Sequence, residues 1–153
     1  MNAKLYSRLV EFARALKTKK QSGEKHHVAF LLKKSRVICV GWNNYNKSHN
    51  VRRFGKFVSH KFTHDVYRPC VHAEISAITR WGQEDLRGYD MAVIRIDNND
   101  NANMSKPCIN CGRILDAMGV RKIFYSDKNG ECQEIGAEGE KEISSRDCLD
   151  LGN

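Results

Sequence analysis

Proline is nearly absent from this sequence, with 2 residues in 153, and glycine stops at 11, so collagen-like, polyproline and low-complexity architectures are excluded. Long apolar runs are missing too. None approaches the roughly 20 residues that cross a bilayer, and the amino terminus, Met1 to Lys20, is charged throughout instead of carrying the apolar centre of a signal peptide. The expectation is a soluble protein of the cytoplasm, the host cytoplasm if the source is viral, with no membrane partner. No internal repeat is visible. Acidic residues are scarce in one half only: residues 1–70 hold 16 Lys and Arg against 3 Asp and Glu, whereas residues 71–153 hold 10 against 15. The net charge of +8 therefore divides into +13 and −5. A positive half suits phosphate-bearing partners, whether free nucleotides or a single-stranded nucleic acid.

With 41% hydrophobic and 29% charged residues, the chain has the make-up of one domain over residues 1–153, with a core over about 28–135 and an acidic tail over 136–153. Six cysteines without a secretory signal are expected to stay reduced, so a pair at short spacing reads as metal ligands. Cys108 and Cys111 form such a pair. Cys39, Cys70, Cys132 and Cys148 read as small buried hydrophobes.

Leu5, Leu9, Phe12 and Leu16 recur at helical spacing and predict an amphipathic first helix, followed by an exit loop over Lys17–Lys25. His27–Leu32 and Val37–Trp42 are apolar runs joined by the polar Lys33–Arg36, which predicts a hairpin of two well-buried strands. Asn43 to Pro69 is polar, with three His and six Lys and Arg, and a connection of that length is usually functional. A helix is expected from Val71 to near Gly82, a strand over Met91–Ile96, and a polar loop over Asp97–Lys106. Pro107 suits the first position of a third helix that ends at Gly119. Arg121–Ser126 and Glu131–Ile135 are strands about an Asn129-Gly130 turn, and residues 140–150 form a short helix or a frayed tail. Strand-helix-strand units imply parallel pairing of strands two and three and of strands three and four, with antiparallel hairpins at both ends. The expected fold is α/β, a mixed five-stranded sheet covered by helices.

His72-Ala73-Glu74 opens the second helix and Pro107-Cys108-Ile109-Asn110-Cys111 opens the third, so both motifs fall at the same end of the sheet. One imidazole and two thiolates suit zinc, and three protein ligands leave a fourth position for water, as in catalytic sites. A positive helix end also favours the thiolate form of Cys108 and Cys111. Zinc lowers the pKa of bound water toward about 7. Glu74, two residues past His72, is placed to take that water's proton and pass it on.

These motifs resemble the zinc-dependent cytidine and deoxycytidylate deaminase superfamily in HxE followed by PCxxC. The likeness runs from about Val28 to Tyr125 and takes in VGWN, HAEISAI, PCINC and GVRKIFYS, with small phage- or virus-type deoxycytidylate deaminase-like proteins closest in look. The resemblance implies a three-layer sandwich, zinc on His72, Cys108 and Cys111, Glu74 as proton shuttle, and substrate contacts from Asn43 and the Ala73 backbone. It implies hydrolytic deamination of cytosine in a free nucleoside or nucleotide, dCMP favoured; the alternative is cytosine or adenine within single-stranded DNA or RNA. Homo-oligomers are common in such enzymes. Two features depart from deoxycytidylate enzymes: Ser76 stands where Asn follows HAE, and the Asn129-Gly130 hairpin predicts an antiparallel last strand, as in free-cytidine deaminases. Arg52 and Arg53 in the long polar stretch are expected to contact phosphate. Aromatics interleave with its basic residues (Trp42, Tyr45, Phe54, Phe57, Phe62, Tyr67), either stacking on bases or packing the loop. A second, structural zinc built from some of Cys39, His49, His60, His64 and Cys70 is an open alternative.

Overall fold

The computed structural model describes residues 1–17, 25–44 and 71–136. Helix α1 spans Ala3–Leu16 and leads to strands β1 (His26–Lys33) and β2 (Arg36–Trp42). Helix α2 (Ala73–Trp81) precedes β3 (Asp90–Ile96) and the two-residue β4 (Ala102–Asn103). Helix α3 (Ile109–Ala117) is followed by β5 (Lys122–Ser126) and β6 (Cys132–Gly136). The long polar stretch from residue 45 onward, most of the exit loop and the tail from residue 137 lie outside the described residues. So do Arg52, Arg53, His49, His60, His64, Cys70, Cys148 and the aromatics Tyr45, Phe54, Phe57, Phe62 and Tyr67.

Period-two alternation sorts the core into two layers. On β1, Val28, Phe30 and Leu32 join Leu9, Val10 and Ala13 of α1, while Ala29 and Leu31 join residues of α2 and α3. β3 divides likewise, with Ala92, Ile94 and Ile96 toward α1 and Met91 and Val93 toward the other helices. The outcome is the expected sandwich, helix on one face and two helices on the other.

Five strands lie in the order β2-β1-β3-β5-β6, and β4 adds a short sixth beside β3. The β1–β2 and β5–β6 pairs are antiparallel and β3–β5 is parallel, as the sequence implies. Strands two and three do not pair. β3 runs antiparallel to β1, which lies between them, because the crossover rule fixes handedness and not adjacency. β1 is buried along nearly its whole length and so takes neighbours on both sides, which leaves β2 at the edge with Val37 and Ile38 exposed rather than well buried. Phe12 is a smaller correction: it is exposed at the rim of α1, edge-on to Phe30 with 5.8 Å between ring centroids, while Val10 and Ala13 take the buried stripe. Pro107 sits two residues ahead of the helix and not at its first position, because Cys108 is the N-cap of α3 and its sulfur accepts the Cys111 N–H at 3.5 Å.

Turn chemistry sets both hairpins. Lys34 and Ser35 carry φ of 49° and 61°, the left-handed pair of a two-residue turn that matches strand twist. In the β5–β6 turn Gly130 alone takes positive φ, 79°, after a helical-type turn through Lys128 and Asn129.

Gly41 decides how closely α2 lies on the sheet. A Cβ there would stand 2.6 Å from the Ala73 carbonyl oxygen and overlap the Ala77 backbone nitrogen, so only glycine lets the helix seat at this depth. Gly41→Ala should therefore push α2 outward and destabilise by about 1–3 kcal/mol. Thermal unfolding reads the loss, and zinc affinity should weaken with it because His72 begins this helix; an unchanged midpoint would refute close packing at Gly41.

His26 ties β1 to α1, its ring Nε2–H donating to the Ala13 carbonyl at 3.2 Å from a buried position. Burial, aided by the Lys17 charge, lowers its pKa below the ordinary 6.5, while the Ala13 hydrogen bond opposes the shift. The folded ring thus resists a proton that the unfolded chain accepts, so its contribution is present above about pH 6.5 and is lost as pH falls below that. Urea unfolding of wild type and His26→Gln should show a stability gap at pH 7.5 that narrows by pH 5; a gap that widens would reverse the assignment.

Candidate active site

His72 is the N-cap residue of α2, with extended backbone at φ −70° and ψ 151°, so its side chain is free of capping and projects from the helix mouth. Residue 71 is pinned just before it. Val71 and Asn44 exchange both backbone hydrogen bonds at 2.8 Å, which joins the start of α2 to the chain leaving β2. Cys108 and Cys111 occupy the N-cap and third position of α3. The two helix starts face each other: His72 Nδ1 lies 3.5 Å from the Cys108 sulfur and 3.3 Å from that of Cys111.

The donor set fits zinc. Nitrogen at about 2.0 Å and sulfur at about 2.3 Å from a tetrahedral ion stand about 3.5 Å apart, which is the spacing the imidazole and thiols already hold. All three donor atoms lie within 4.8 Å of one another, and among the described residues no other His, Cys, Asp or Glu cluster of three meets that geometry. Cys39, offered for a second metal, donates its thiol to the Ala77 carbonyl of α2 at 3.5 Å, and the residues offered with it lie outside the described residues.

Glu74 is in the first turn of α2 and is 5% exposed. Burial pushes its carboxyl up to about 7, against the pull of His72 and with the added push of Cys108. For His72, burial alone would lower the imidazole, but the hydrogen bond and charge of Cys108, with Glu74, outweigh it and hold the ring up at about 9. That proton is one a metal ion would replace.

Asn43 is buried just past the end of β2. Its Oδ1 accepts from the His27 N–H at 2.9 Å and its Nδ2 donates to the Lys25 carbonyl at 2.6 Å, locking the end of β2 to the start of β1. Ala73 is buried at the first position of α2. Trp42 carries the Arg80 guanidinium 3.8 Å over its ring, so this ring face is already covered.

Several residues at the site end were not singled out by motif reading. Ser105, three residues before Cys108, donates its hydroxyl to the Val93 carbonyl at 2.6 Å and lies 2.7 Å from the Ser126 hydroxyl, which fastens the loop entering α3 to the ends of β3 and β5. His27 and Arg95 are register partners across β1 and β3. They continue the alternation that turns Ala29, Leu31, Met91 and Val93 toward α2 and α3. Burial lowers the His27 ring to about 3, and the neighbouring charges of Arg95 and His72 lower it further. The available signal was Arg95 itself, a single charge inside the otherwise apolar MAVIRI run.

Residues 3–127 match the family described as the cytidine and deoxycytidylate deaminase zinc-binding region. The chain belongs to that family of zinc-binding deaminases. Among solved structures, a cytidine deaminase from Burkholderia pseudomallei is similar at 17% identity and TM-score 0.55, covering 90% of this chain and 94% of that one. The dCMP deaminase of cyanophage S-TIM5, in complex with dCMP and dUMP, is similar at 16% identity and TM-score 0.51, covering 99% and 91%. Both likenesses show the shared fold. Among curated proteins no sequence is significantly similar.

Proposed function

We propose that this protein is a zinc-dependent hydrolase that converts cytosine to uracil in a free nucleoside or nucleotide, with dCMP as the favoured substrate. The observation that carries the reading is the His72, Cys108 and Cys111 donor set beside the buried carboxyl of Glu74. A zinc ion held by those three residues would supply a water activated at neutral pH. Glu74 holds the proton taken from water, delivers it to the ring nitrogen and then to the departing amine, and its pKa of about 7 suits both halves of that shuttle. The net change is water consumed and ammonia released.

The α2 and α3 starts would set the metal donors beside the Glu74 carboxyl, and the Ala73 backbone is assigned to support of the pyrimidine. Asn43, already bonded to β1, retains one amide hydrogen for the sugar. Arg52 and Arg53, outside the described residues, complete the reading as the phosphate contacts expected from the sequence. The antiparallel β5–β6 pair departs from the arrangement implied for deoxycytidylate enzymes and supports only a free cytosine compound over a base in a strand; the dCMP preference rests on the positive charge of the first 70 residues. The test is zinc-loaded protein offered dCMP, dCTP, cytidine, deoxycytidine and a cytosine-containing single strand, with uracil products followed by mass. Turnover of dCMP ahead of the others is expected; deamination of the strand alone would replace this reading, and no turnover of any would sink it.

A further inference from the structure

We propose that Arg95 binds the phosphate of the substrate, so that this site takes a phosphorylated cytosine compound in preference to the nucleoside. The inference rests on the deaminase reading and adds to it a residue outside the HxE and PCxxC motifs.

Position is the first argument. Arg95 is next to last in β3, two residues past the Asp90–Val93 stretch that pairs with parallel β5, at the carboxyl end of the strand where α2 and α3 begin. Ligands of α/β sheets bind outside the carboxyl ends of parallel strands, and helix amino termini there add positive potential. Alternation places the side chain on the face that carries His72, Cys108 and Cys111, across from His27.

The second argument is an unfilled valence. The Arg95 Nε is buried and has no hydrogen-bond partner among the described residues, while the backbone of this residue is held in the sheet, its N–H donating to the Ser126 hydroxyl at 3.3 Å. Nearby carboxylates are committed elsewhere. Asp97 accepts from the backbone of Asn99 and Asn101 and from the Asn103 amide, and Asp100 pairs with Lys17 at 2.8 Å. Glu74 is governed by His72 and the two cysteines. His27, the cross-strand neighbour, offers no negative charge and is hydrogen-bonded toward the Lys25 backbone. A partly buried guanidinium facing an imidazole, with no anion among the described residues, is unfavourable unless a ligand supplies the charge. Five donors in a rigid fork match a phosphate bidentately. The phosphate belongs either to a free nucleotide or to the backbone of a strand.

The experiment compares wild type, Arg95→Gln and Arg95→Lys, all zinc-loaded, on dCMP, deoxycytidine and a short cytosine-containing single strand. Expected for Arg95→Gln is a KM for dCMP raised about tenfold or more, the loss that accompanies removal of a charged hydrogen bond, with kcat within about twofold and deoxycytidine unaffected. Arg95→Lys should recover part of the difference, which a purely structural role would not show. A KM increase confined to the strand would keep the phosphate contact and assign it to a polynucleotide. Equal losses on dCMP and deoxycytidine would overturn the proposal. Calorimetric titration with dUMP separates this result from failure of the deaminase reading: even without turnover of any substrate, binding weakened in Arg95→Gln and partly restored in Arg95→Lys supports the contact, and equal affinity in all three proteins, or no dUMP binding by wild type, overturns it.

Discussion

Glu74→Gln should lower deamination by about 10²–10⁴-fold while zinc content and fold are retained. The change keeps the size and burial of the side chain and removes only its ability to accept and release a proton. A carboxyl with a pKa of about 7 is half-protonated at neutral pH, which is the condition a single shuttle needs. Stability should move the other way. A pKa raised above the ordinary 4.5 means that Glu74 favours folding below about pH 4.5, and that this contribution disappears as pH rises through about 7. Glutamine carries no such dependence. In metal-free protein, Glu74→Gln should therefore melt at or above wild type at pH 8, with a smaller advantage at pH 5. Near wild-type turnover in Glu74→Gln would show that another group moves the proton.

Cys111→Ala should abolish stoichiometric zinc binding, and Cys108→Ala should do the same with a weakened α3 start. Cys111 is 2% exposed beneath the helix, so no water-filled space stands ready to replace the sulfur. Cys108 would serve a bound metal as a donor and already serves as the N-cap that receives the Cys111 N–H. Loss of such a cap costs roughly 1 kcal/mol on its own. Because His72 belongs to α2 and the cysteines to α3, metal removal also unties the two helices, and the stabilisation gained on adding zinc to wild type should be missing in both variants. Metal analysis by mass spectrometry and melting with and without zinc measure these effects. Full occupancy with either cysteine removed would refute the three-ligand assignment.

Helices and strands were legible in the sequence wherever a period stood out over enough residues. The apolar runs at 27–32 and 91–96 and the helical spacing at 5–16 appear in β1, β3 and α1 nearly as read. The two-residue β4 was not, since two residues hold no period, and its pairing with β3 exists only through register. The sequence by itself also determined the chemistry on offer: donor types that suit zinc, spaced to leave a helix start together, with one carboxylate alongside. It could not determine strand order. Both β1 and β2 are apolar, and which becomes the edge depends on how α1 and α2 divide the two sheet faces. Tertiary structure alone brought His72 within 3.3–3.5 Å of thiols 36 and 39 residues away, because that distance is set by Gly41 seating α2 and by Ser105 and Ser126 holding the loop before α3. It likewise gave Arg95 a place at the site. A lone arginine in an apolar strand has no chemical meaning until register sets His27 beside it and the sheet leaves it without a counter-charge among the described residues.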